Sequence, residues 1–148
     1  MTRYLFLYVL LLVSTACFSQ EESGMLLADN TIQIESTDAI NDMYNFKFDR
    51  AENYFLQLRN QYPEHPMPYF LMGLSNFWKM VPYINTDDFR NTYEKEFLTY
   101  IDLAIDKGEA MFSKNDRNVE AAFFLCAAYG FKGRYFADNK DYIKAAFQ

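Results

Sequence analysis

The chain is poor in residues that carry chemistry. It has one histidine, His65, and two cysteines, Cys17 and Cys126. A zinc site needs three or four ligands, and no His, Cys or acid cluster stands at ligand spacing near either residue type. Glycine-rich phosphate loops, nucleophile elbows and paired-metal patterns are missing. Asp138, Asn139 and Asp141 resemble the start of a calcium loop but lack its glycine and terminal glutamate. Positive charge is also short, with 14 basic against 20 acidic residues and a formal net charge of −6. Such a balance gives no electrostatic footprint for nucleic acid or an anionic membrane. The one apolar run, residues 4–13, falls short of the roughly 20 residues that a membrane-spanning helix needs.

That run reads instead as a leader. Arg3 supplies the positive flank, and Cys17, Phe18 and Ser19 place small residues at −3 and −1, so cleavage is expected before Gln20. The alternative is a lipoprotein anchored at Cys17, although Ser14 stands where such signals carry a large aliphatic residue. Without residues 1–19 the 20 acids face 13 bases, a formal −7. Cys126 is then left with no partner for an intramolecular disulfide.

What the sequence does contain is helical periodicity. Phe48, Ala51, Phe55, Leu58 and Tyr62 step by three and four, which is one stripe of an α-helix. Pro63, Pro66 and Pro68 break it, and a second helical run over residues 69–80 carries Gly73 in its interior. Glycine costs about 1 kcal/mol against alanine there, so Gly73 is expected to mark a close approach to the Ala51 helix. This joint resembles that of the tetratricopeptide (TPR) repeat. Phe48, Ala51 and Phe55 match the second helix of one repeat, Pro63 its closing proline, and Tyr69, Met72 and Gly73 the first helix of the next. The resemblance implies an all-α chain of antiparallel helix pairs, stacked as a TPR-like right-handed α-solenoid of about two and a half repeats. Ala51, Ala104 and Ala145 are spaced by 53 and 41 residues instead of the usual 34, so the helices are lengthened.

Residues 20–36 read as a polar mobile arm, with the repeat domain over residues 37–148 and its last repeat incomplete. The first helix is placed over residues 38–44, capped by Ser36, Thr37 or Asp38 and ended by Asn45 in the left-handed conformation. A long helix follows Thr86, its stripe running from Phe89 to Phe112 and including Ala104 and Gly108 as small crossing points. The last complete helix, residues 119–137, is apolar nearly all round in its first half, which predicts contact on more than one side. Two registers compete beyond Gly130, and the turn at residues 138–140 is preferred to one at Gly133. A short helix over residues 141–148 has no cap, as in the front portion of a longer array, and invites self-association.

No catalytic residue and no cofactor is expected. His65 reads as a loop residue beside a helix end, and Cys126, amid Phe, Leu and Ala, as a small buried one. By the resemblance, the function is non-enzymatic binding of a protein or peptide by an exported scaffold, periplasmic or secreted. Asn76, Trp78, Lys79, Lys132, Arg134 and Tyr135 are its candidate contacts on a concave surface. The alternative is a small molecule or glycan held in an aromatic-lined groove.

Overall fold

A computed structural model describes residues 25–83, 87–139 and 146 of the chain. These residues form five α-helices and two single 3-10 turns, with no strand among them. The helices are α1 (Asn30–Tyr44), α2 (Phe48–Gln61), α3 (Pro66–Met80), α4 (Asp87–Lys114) and α5 (Val119–Asp138). The links at residues 45–47, 62–65 and 115–118 are short, and consecutive helices pack against one another. The leader, residues 20–24 of the arm and the short helix expected over residues 141–148 lie outside the described residues, Ala146 excepted.

The first helix starts well before the expected residue 38. Asp29 caps it, its carboxyl accepting from the amides of Thr31 at 2.8 Å and Ile32 at 3.1 Å. Ile32, Ser36, Ala39 and Met43 then form one buried stripe. Ser36 concealed this extension because it is polar; its hydroxyl lies 3.3 Å from that of Tyr54, which lets a serine occupy a core position. The arm is therefore docked from Met25 onward, with Leu26 buried in a 3-10 turn. At the other end Asn45 keeps φ −90°, and it is Phe46 that turns left-handed at φ 61°. Phe46 N–H bonds Met43 O and Lys47 N–H bonds Asp42 O, which closes a Schellman turn with phenylalanine where glycine is usual.

Helix α3 lies at the centre, touching α1, α2, α4 and α5. It opens at Pro66, a position where the missing N–H costs nothing. From Pro66 to Asn76 every residue except Tyr69 is buried. Gly73 does not meet the Ala51 helix as expected: a Cβ there would lie 2.8 Å from Ile101 Cδ1 of α4. Gly108 has the same role where α4 crosses α5, its absent Cβ lying 2.9 Å from Leu125. Phe55, Ala51, Ala104 and Met72 are buried where the stripes placed them, whereas Pro63 is exposed and Phe48 and Tyr69 are half-buried.

The core between α3, α4 and α5 is aromatic. Phe70, Phe77, Phe97, Phe124, Phe131 and Tyr135 form a chain of edge and tilted contacts with centroids 5.2–5.8 Å apart, the range in which aromatic pairs attract. Helix α5 runs through Gly130 and Gly133 to Asp138, so the turn falls at Asn139 and the later register holds. Its sequence led to an expectation of contact on more than one side. Val119, Ala122, Phe123, Cys126 and Gly130 are exposed instead, because among the described residues the neighbouring helices cover the face that carries Phe124, Leu125, Ala128 and Tyr135. Cys126 is thus a free surface thiol and not a small buried residue.

Candidate binding site

The polar group that the fold treats most unusually is the lone histidine. Pro66 and Pro68 start α3, which leaves His65 as its N-cap. Met67 N–H donates to Nδ1 at 3.1 Å, so the ring proton resides on Nε2. That atom points at Glu120 Oε2, 3.4 Å away. His65 retains 6% and Glu120 2% of their exposure. The two atoms attract at this distance without closing a hydrogen bond, and neither has another partner among the described residues. Glu120 sits in the first turn of α5, where the helix dipole favours an acid. Its other oxygen accepts Leu27 N–H at 2.7 Å. Three segments distant in sequence, the first 3-10 turn, the start of α3 and the start of α5, therefore meet at one buried polar cluster. The ring of Phe124 seals it edge-on at 5.8 Å.

Beside this cluster lies an open recess of about 720 Å³. Met25, Leu26, Tyr62, Pro63, Ala110 and Met111 supply apolar walls, and Asp29, Glu64, His65 and Lys114 the polar ones. Asp29 is committed to capping α1. Glu64 is held by Lys107 at 2.9 Å, and this hydrogen bond raises the Lys107 pKa above the ordinary lysine value. A volume of this size is typical of ligand pockets, which bury most of a small ligand or one large peptide side chain.

The contacts expected on a concave surface are dispersed. Asn76 is buried, its amide donating to Met72 O of its own helix at 2.9 Å. Tyr135 is buried too, packed on Phe97 and Phe136. Neither can face a partner, since each fills a core position between helices. Lys79 bonds Glu52 at 2.6 Å and lies over the rings of Phe48 and Tyr93, tying α3 to α2 and α4. Ser75 donates to the same carboxyl. Lys132 reaches Asp102 at 2.9 Å and ties α5 to α4. Trp78 is half-buried against Tyr44 and Phe77. Only Arg134 is well exposed, beside Asp138. These six residues form no common groove.

Sequence reasoning did not single out Leu26, Tyr62, Met111 or Glu120 as site residues. One signal was available: a proline at a helix start makes the preceding residue the cap, which places His65. Nothing local links His65 to Glu120. Among the described residues no group of three or more His, Cys, Asp or Glu could hold a metal ion, and no helix is long and apolar enough to cross a membrane. No protein-family model, curated protein or solved structure matches the chain.

Proposed function

We propose that the chain is an exported, non-enzymatic interaction module of TPR type that binds a protein or peptide partner in the recess beside His65. The recess carries this reading: it joins an apolar floor of Leu26, Tyr62 and Met111 to a lysine, Lys114, at its margin. A peptide with one large apolar anchor and a neighbouring acid suits it. The stacking is in keeping with a repeat array, because α1 touches α3 and α3 touches α5 in addition to the consecutive pairs. The non-enzymatic reading draws on His65, a buried helix cap whose Nδ1 accepts Met67 N–H and whose Nε2 faces the Glu120 carboxylate. Export rests on residues 1–19.

Selection of peptides from a displayed random library against the purified protein tests the proposal. Selected peptides are expected to shift the amide resonances of Leu26, Tyr62 and Met111, and Met111→Glu to abolish binding while Arg134→Glu leaves it intact. Peptides that bind equally well to the Met111→Glu protein would overturn the assignment of the recess.

A further inference from the structure

Glu120 does not line the recess, yet it stands behind two of its walls. The arm supplies one wall through Met25, Leu26, Ala28 and Asp29, and the link between α2 and α3 supplies another through residues 61–65. Leu27, in the middle of the arm wall, donates its N–H to one Glu120 oxygen at 2.7 Å. His65, at the end of the link, faces the other oxygen, with Nε2 3.4 Å away. The remaining wall, Ala110, Met111 and Lys114, belongs to α4.

This arrangement is a poor source of stability. Both side chains are more than nine-tenths buried, and neither Glu120 Oε2 nor His65 Nε2 has a hydrogen-bond partner among the described residues. Buried polar groups are hydrogen-bonded as a rule, and well-packed apolar residues of similar volume often serve a fold as well or better. What a carboxylate offers and an apolar side chain does not is direction: two acceptor oxygens at a fixed spacing, each addressed to a different segment. We infer that Glu120 is a positioning residue for the recess, its carboxylate setting how far the arm stands from the α2–α3 link. The inference rests on the recess being the binding site and names what gives it its shape. Walls held in place before binding leave less to be ordered when the occupant arrives, so Glu120 acts on affinity without touching the occupant. Glutamine at this position has one acceptor oxygen, and its amide N–H groups would meet either Leu27 N–H or His65 Nε2–H donor to donor. It can hold one wall but not both.

Spin labels at Ala28 and Gln61, both exposed and one on each wall, read the distance between the walls in protein with Cys17 and Cys126 replaced by serine. A single narrow distribution is expected with Glu120, a broader or displaced one in Glu120→Gln, and the broadest in Glu120→Met. Phe97→Leu, which loosens the core at a residue outside the recess, should leave the distribution as in the parent. In a His65→Asn background Glu120→Gln should add little, because the group facing the second oxygen is already gone. A peptide selected on the wild type should bind Glu120→Gln at least about tenfold more weakly. Distributions that coincide for Glu120, Glu120→Gln and Glu120→Met overturn the inference, as does an equal broadening in Phe97→Leu. So does a peptide that is lost in Met111→Glu but binds Glu120→Gln as tightly as wild type. Peptides that ignore Met111→Glu tell against the recess as the binding site, whereas the label distances decide the role of Glu120 with no peptide present.

Discussion

Replacing Glu120 by methionine keeps the volume of the side chain and removes both of its oxygens. Leu27 N–H, bonded at 2.7 Å, then loses its acceptor, and the Nε2 of His65 loses the carboxylate 3.4 Å from it. An orphaned buried donor costs about 1–3 kcal/mol. The bond to Leu27 is only partly buried, which places the expected loss within about 1–3 kcal/mol. His65→Asn approaches the same pair from the other side. Asparagine caps helices as well as any residue, so Met67 N–H keeps an acceptor, and the loss reports the missing imidazole opposite Glu120. Urea melts of the wild type, both single variants and the double variant complete a cycle. The double variant should lose less than the sum of the singles by at least about 1 kcal/mol, outside the 0.3–0.5 kcal/mol within which independent sites add. Hydrogen exchange supplies a second readout: the Leu27 amide should lose protection in Glu120→Met and keep it in His65→Asn. Additive losses, or a Glu120→Met loss below about 0.5 kcal/mol, would refute the account of the buried cluster.

Other consequences can be measured on the same footing. Gly108→Leu should cost about 1–3 kcal/mol by overpacking, and trimming Leu125 to alanine in the same chain should recover some of it, since Leu125 is the side chain in the way; no recovery would mean that the obstruction lies elsewhere. Phe46→Gly should stabilise by about 0.5–1 kcal/mol in urea melts by relieving the left-handed backbone at φ 61°, although it forfeits an edge contact with Phe48 at 6.1 Å. At alkaline pH, burial raises the Tyr54 pKa, and hydrogen bonds to Glu109 and Glu64 raise those of Tyr129 and Lys107. All three groups hold their protons more tightly folded than unfolded, so this share of the stability is present below about pH 10 and lost as the pH rises through the raised values. Urea midpoints should fall over that range, and Tyr129→Phe should make the fall shallower.

The sequence was most legible where a helix carries one apolar stripe and an opposite polar face. Helices α2 and α4 have that form, and their stripes named Ala51, Phe55, Ile101, Ala104 and Gly108 as packing positions. The start of α1 was hidden because a serine does the work of an apolar residue once Tyr54 supplies a partner. Gly73 announced a close approach but could not say to which helix, since spacing along one helix carries no information about the order of packing. The recess was illegible for the same reason: Leu26, Tyr62 and Met111 belong to three segments, and only the packed chain brings them together. Tyr135 and Cys126 were exchanged between core and surface because α5 is apolar on both sides, and a pattern without a polar face cannot report which side is covered.

The bond from Leu27 to Glu120 spans 93 positions of sequence. A stack of helices that meet only their near neighbours can fray from either end, one unit at a time, with the remainder still folded. Here the first described turn is tied directly to α5 across the start of α3, so the two share one polar cluster. Losing either exposes the partner groups left behind. The two are therefore coupled, and melting should proceed as a single cooperative transition in which neither opens much before the other.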